Sequence, residues 1–357
     1  MTYAPPAPVD VDTPEPARAV GDESLTSLLR EVRDAGLLRP RHGYYVVKVA
    51  TNLVMLGAVW AAFVLLGNSW WQLVVAALLA FCYTQTGFIG HDIGHRQVAH
   101  DRRWAEVLGL LHGDLLLGFS YSWWVSHHNK HHGYPNHLDR DSDITRRRVI
   151  FIPEQGHQRE SRAKQFIVRH QHVLFFPLLL TEGIGLRVAS FKAIRDGQVR
   201  RARVEGLLIF VHLAVYLAAL FTILSPTKAI LFLLVQQGLF GLYIGSVFAP
   251  NHKGMPIQRP DEDWDWLTRQ VVTSRNIRSS YLTDFLYGGL NYQIEHHLFP
   301  GMPRKNLRHA RPIAKRYCEA VGLRYHEVSV AQSYAEVVGH LRRTSVAYQA
   351  QVKALGA

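Results

Sequence analysis

Residues 126 to 137 read SHHNKHHGYPNH; five of the twelve are histidine, four of them within positions 127 to 132. Neutral imidazole is the commonest protein metal ligand as well as an acid–base group. Two other segments carry it at helical spacing. HDIGH sets His91 and His95 four residues apart, on one face of a continuing helix. NYQIEHHLFP contains Gln293, His296 and His297, a Q-x-x-H-H copy of the H-x-x-H-H formed by His128, His131 and His132. At about 100° per residue, each trio covers an arc roughly 100° wide. His127, His128 and His131 cover an equal arc, so helical geometry alone does not choose between them. The second copy of the spacing favours the trio from His128 and sets His127 and His137 aside. A lone histidine, His252, lies in FAPNHKG beside Asn251.

These groups hold seven imidazoles, or eight with His252. One metal cannot use eight, whereas two metals with about four each can. Imidazole suits iron, copper, nickel and zinc, so ligand type leaves the metal open. The two cysteines, Cys82 and Cys318, exclude a disulfide framework, a four-cysteine zinc site and a cysteine-ligated iron–sulfur cluster.

The elements that must position these groups are apolar. Residues 49–67 and 71–90 contain no charge, and GNSW joins them with Trp70 and Trp71 at the turn. A second pair, 205–224 and 229–248, is joined by SPTK. Each is near the roughly 20 residues a helix needs to cross a bilayer, and tryptophans at the turn suit an interfacial belt. The expected fold is an all-α integral membrane protein of four spans in two hairpins. A cytoplasmic helical cap completes it and holds a histidine-rich di-metal site. The formal charge is +12, yet of 40 Lys and Arg only Lys228 lies within 49–90 or 205–248. The positive-inside rule then makes the side with both termini and the long middle segment cytoplasmic. It also explains the basic excess without nucleic acid, for which no basic–aromatic motif stands out. All the histidine groups fall on that one side, which is what a shared site requires. Shorter apolar stretches at 105–121, with His112 and Asp114, and 173–188, with Pro177 and Glu182, suit interfacial or packed helices.

Residues 1–23, with five prolines and several acids, read as a disordered tail and lack the form of a signal peptide. Leu25, Leu28, Leu29 and Val32 then share a helical face, read first as a packing helix and second as a surface-lying one. Residues 24–345 are expected to form one domain, and 346–357 a C-terminal tail.

HDIGH, HNKHH and QIEHH, in order and separated by paired apolar spans, resemble the membrane fatty-acid desaturases over about residues 23–325. WWVSHHNKHHGYPN and EHHLFPGMPR look most like the front-end and linoleoyl-CoA-type branch, and FAPNHKGMP like a bacterial acyl-CoA or acyl-lipid member. The resemblance implies two non-haem irons, dioxygen as co-substrate and a cis double bond placed in an acyl-CoA or acyl-lipid chain. An unactivated C–H bond lies beyond side-chain acids and bases, so the cofactor does the hard step, and zinc lacks the redox chemistry. Carried over by position, the ligands are His91, His95, His128, His131, His132, His252, His296 and His297. Gln293 is a departure, since many relatives have histidine there. Asp92, Asn251, Gln293 and Glu295 become candidates for contacting the ligands, with Asp141 and Asp143 equally well read as solvated charge. The sequence holds no fused cytochrome domain, and GIGLRV lacks the third glycine of a dinucleotide fingerprint. Electrons are therefore expected from a separate ferredoxin or flavin reductase. The basic runs at 145–149 and 199–204 suit such an acidic partner or CoA phosphates, although the positive-inside bias explains them more simply. The expected location is a bacterial plasma membrane. A hydroxylase with the same centre is the enzymatic alternative. A metal transporter would place ligands within the spans, where only His212 lies.

Overall fold

The structure, a computed structural model, describes residues 22–145, 148–158 and 161–354. Most of the expected N-terminal tail lies outside them, as do Arg146 and Arg147 of the first basic run. Helix α1 (Asp22–Asp34) buries Leu28 and Val32 in a core with Leu307, Ala310 and Ala314, as its apolar face predicts. Helices α2 (His42–Leu66) and α3 (Gln72–Gly94) form the first hairpin. Helix α4 (Arg102–Gly109) is capped by Asp101, which accepts from the backbone N–H groups of Arg103 and Trp104, and runs into a π-helix at Leu110–Leu117. Gly118 ends it in the left-handed region, φ 72°, a conformation that suits glycine. Helix α5 (Tyr121–Gly133) follows, and then the single turn α6 (Ser142–Thr145).

Helices α7 (Arg162–Leu179) and α8 (Glu182–Arg195) meet at 83°. The apolar stretch at 173–188 is thus broken just after Pro177. The backbone at Gly241 passes close to that bend: a Cβ there would lie 2.6 Å from the Leu179 carbonyl oxygen. Helices α9 (Ala202–Ile223) and α10 (Pro226–His252) make the second hairpin. The rest is α11 (Trp266–Val272), β1 (Asn276–Ile277), α12 (Tyr281–Leu286), α13 (Gln293–Leu298), α14 (Arg304–Ala320), β2 (Glu327–Val328) and α15 (Val330–Ala354). The two strands pair in parallel, Asn276 with Glu327 and Ile277 with Val328. Helix α15 continues to Ala354, so residues 346–354 of the expected tail are helical.

Helices α2, α3, α9 and α10 are long and apolar enough to cross a membrane, and the bent α7–α8 pair raises the number to five if it counts as one span. Leu65 and Phe210 are 85% and 67% exposed, as lipid-facing side chains of α2 and α9 should be. Helix α3 is instead largely buried between α2 and α10. The two hairpin turns touch: the Ser225 N–H donates to Asn68 Oδ1 at 3.0 Å, and Lys228 Nζ to the Asn68 carbonyl at 2.5 Å. The far ends of α3 and α10, carrying His91 and His252, therefore lie together. Helix α10 runs further than the expected 248, which places His252 in its last turn.

A buried ion pair fixes that end to the C-terminal cap. Arg304 at the start of α14 meets Asp92 Oδ2 at 2.7 Å through Nη2, which also donates to the Phe88 carbonyl at 2.5 Å. The Arg304 N–H donates to Tyr45 Oη and Gln97 Oε1, both at 3.1 Å. Breaking one side of such a pair strands a buried charge, at about 3–5 kcal/mol. Arg304→Met should therefore lower thermal stability in detergent far more than Arg316→Ala, whose exposed pair with Glu31 is worth about 0–1 kcal/mol. Equal melting temperatures for the two variants would refute the staple.

Candidate metal centre

Four elements deliver eight imidazoles to one place. His91 sits in the last turn of α3 with His95 just past it, α5 carries His128, His131 and His132, α10 ends on His252, and α13 supplies His296 and His297. Ring nitrogens of His91, His95, His128 and His296 lie within 4.8 Å of one another, and those of His131, His252 and His297 do the same. His132 stands between the groups. Its Nε2 is 3.1 Å from His128 Nε2, and its ring stacks on His297 with centroids 4.2 Å apart.

Outer partners set which nitrogen faces inward. His131 Nδ1 donates to Asp141 Oδ2 at 3.0 Å, His252 Nδ1 to the Thr273 carbonyl at 2.9 Å, and His297 Nδ1 to Gln270 Oε1 at 2.8 Å. With the proton on Nδ1, each Nε2 presents a lone pair. His131 and His252 then oppose two lone pairs at 3.2 Å. His91, His296 and His297 each bury an Nε2 with no hydrogen-bond partner. Facing lone pairs in a closed space repel, and a cation between them removes the conflict. The donor set thus fits metal ions.

Burial of the rings, followed by repulsion from neighbouring imidazoles, holds His95, His128, His132, His296 and His297 well below the usual imidazole range. His131 goes the other way: burial opposes its charge, but the Asp141 carboxylate, with Asp143 behind it, outweighs the burial.

The contacts around the rings differ in part from those expected. Asp92 approaches His91 Nδ1 at 3.4 Å while paired to Arg304. The Asn251 amide donates to Gln293 Oε1 at 2.9 Å, and the Gln293 amide meets His252 Nε2 at 2.9 Å. Glu295 touches no imidazole. It accepts from Asn276 Nδ2 at 2.8 Å and Tyr325 Oη at 2.6 Å, because it projects from α13 away from the arc of His296 and His297. His127 points outward, with Nε2 2.9 Å from Asp143 Oδ1, and His137 Nδ1 accepts from the Asp139 N–H at 3.3 Å. His212 lies elsewhere, its Nδ1 on the Leu115 carbonyl at 2.9 Å. Gln270, the Thr273 carbonyl and Trp124, whose ring stacks on His128 with centroids 4.6 Å apart, carry no spacing signal that would have singled them out.

Residues 68–329 match the fatty acid desaturase family. The chain is 32% identical over 315 residues to the acyl-lipid (9-3)-desaturase of Physcomitrium patens, covering 85% of this chain and 59% of that protein. It is 30% identical over 346 residues to the Delta(6)-fatty-acid desaturase of Caenorhabditis elegans, covering 92% and 76%. It is 28% identical over 337 residues to the Delta(8)-fatty-acid desaturase of Borago officinalis, covering 89% and 74%. The chain belongs to the fatty acid desaturase family.

Two outcomes follow from the geometry. His128→Ala should cost the purified protein metal, whereas His127→Ala should keep most of it; metal analysis showing the reverse would shift the register by one residue. The second concerns pH. The five depressed imidazoles take up protons less readily folded than unfolded, where the ordinary value is about 6.5. Below that pH the unfolded state binds more protons, so the metal-free fold loses stability as pH falls; His131, raised, works in the opposite sense. Ligating imidazoles must also be neutral, so metal retention should drop in the same window. Undiminished metal content after dialysis at about pH 5 would count against an imidazole-dominated site.

Proposed function

We propose that this chain introduces a cis double bond into a fatty acyl-CoA or acyl-lipid, using dioxygen and a pair of non-haem irons. The observation that carries this reading is the opposed Nε2 lone pairs of His131 and His252 within an eight-imidazole cluster, which gathers at the ends of the apolar helices α3 and α10 and on the short helices α5 and α13. His91, His95, His128 and His296 would hold one ion and His131, His252 and His297 the other, with His132 at the boundary. When bound, such a pair supplies the dioxygen activation needed to remove two hydrogens from an unactivated chain. The protein's own part is orientation and exclusion. Asp141, Gln270 and the Thr273 carbonyl hold three imidazoles in the tautomer that points Nε2 inward, and such outer partners govern metal affinity as strongly as the ligands do. Asn251 and Gln293 form a chain to His252. The family fits this reading, and all three relatives are named as acyl-lipid or fatty-acid desaturases.

The site faces the cytoplasm in this proposal, because Lys228 is the one basic residue near the opposite end and the positive-inside rule applies. FAPNHKGMP supports placement in a bacterial plasma membrane. A separate ferredoxin or flavin reductase supplies electrons, in keeping with the incomplete glycine motif of GIGLRV. Expression in a host of known lipid composition, with double-bond localisation by mass spectrometry, should yield acyl products two hydrogens lighter. A gain of one oxygen would favour the hydroxylase instead. The purified protein should hold about two irons per chain, and full activity with zinc alone would refute the mechanism.

A further inference from the structure

The N-terminus of α5 is held by two acids that the metal centre does not use. A helix start leaves its first N–H groups without intrahelical partners. Here Ser120 Oγ accepts from the Trp123 N–H at 3.1 Å, Asp114 Oδ2 from Tyr121 at 3.3 Å, and Glu205 Oε2 from Ser122 at 3.4 Å. Ser120 Oγ–H in turn donates to Glu205 Oε2 at 2.5 Å. Asp114 comes from the π-helix and Glu205 from the first turn of α9, and both are fully buried. The seat is tight. The Tyr121 ring lies on Gly109, where a Cβ would come within 2.2 Å of it, and the Ser120 N–H donates to Ser190 Oγ of α8 at 3.0 Å.

The two carboxyls converge on adjacent N–H groups at one helix start, Asp114 on Tyr121 and Glu205 on Ser122, and the charge of Glu205 acts on Asp114. Each carboxyl also buries one oxygen, Asp114 Oδ1 and Glu205 Oε1, with no donor. Two adjacent ionised carboxylates in such a place repel, whereas one proton between them turns repulsion into a hydrogen bond. We propose that Asp114 and Glu205 share one proton and thereby seat α5, acting as positioning residues for His128, His131 and His132. The inference rests on the proposed role of those histidines. Burial first, then the charge of Glu205, pushes Asp114 up to about 9, so Asp114 holds a proton at neutral pH. The other titratable group facing Asp114 is Tyr121 from α5, on which Arg96 and Glu106 also act. His128 lies two turns further along, about 11 Å at 1.5 Å per residue. A tilt at the seat therefore moves all three imidazoles together, in a site whose tolerance is about 0.5 Å.

Glutamine reproduces the singly protonated pair: its oxygen accepts as Glu205 does, and its N–H replaces the shared proton. Glu205→Gln should keep metal content and turnover within about twofold at neutral pH, whereas Glu205→Ala should lose about tenfold or more of both. In the unsubstituted protein, activity should fall as pH rises through about 9, when Asp114 ionises, and Glu205→Gln should lack that fall. Amide exchange at Tyr121–Trp123 in metal-free protein reads the seat itself: protection should survive Glu205→Gln and vanish in Glu205→Ala. That readout stands even if the metal assignment fails. The proposal is overturned if Glu205→Gln behaves like Glu205→Ala, if neither changes metal content or exchange, or if the protein binds a third metal ion that Glu205→Gln abolishes.

Discussion

Lone pairs pointed at one another inside protein are the constraint on which the rest of the structure depends. His131 and His252 cannot turn their Nε2 atoms away, because Asp141 and the Thr273 carbonyl hold the opposite nitrogens. Burial disfavours imidazolium for most of the cluster, although the Asp141 carboxylate favours it on His131. A buried polar atom without a partner costs about 1–3 kcal/mol, and the cluster leaves several. Cations between these nitrogens would relieve that cost, and part of the metal-binding energy would then become folding energy. Everything around the cluster must resist its tendency to spread.

The membrane helices provide most of that resistance. Helix α3 is buried between neighbours, and the touching turns at Asn68 set α3 and α10 in register so that His91 and His252 end at one depth. Helix α13 has only six residues, too few to be stable alone. It is braced from outside: Asn276 accepts from the Ile294 N–H at 2.9 Å and donates to Glu295, and Tyr325 holds the same carboxyl. Arg304 then ties the α14 side of the cap to Asp92, one residue from His91. The first and third histidine groups therefore meet through the same ion pair that closes the cap on the membrane.

Much of this was legible in the sequence because it depends on period and charge. Paired apolar stretches, free of lysine and arginine, mark the spans. The repeated H-x-x-H-H spacing picks His128 over His127, and the structure turns His127 outward to Asp143. The less legible parts are those where residue type carries no pattern. The Thr273 carbonyl is backbone, so no side-chain reading could find it. Gln270 looks like any polar residue of a short helix. Glu295 is adjacent to His296 in sequence, but at about 100° per residue it lies off the arc shared by Gln293, His296 and His297, and its partners are Asn276 and Tyr325. The π-helix at 110–117 was read simply as a short apolar stretch, because its widened turn has no compositional mark.

The two halves of the centre are not equivalent. His131, His252 and His297 are all buried, and each has its outer nitrogen tied to a fixed acceptor. In the other half, His95 and His128 are only partly buried, and Trp124 covers His128 by stacking. Imidazoles with locked partners hold geometry; imidazoles shielded only by a ring can adjust when a molecule approaches. The half that contains His95 and His128 is therefore the more open one, while the closed half keeps its shape. Because α5 supplies rings to both halves, the position of its N-terminus against the π-helix and α9 governs how those halves face each other.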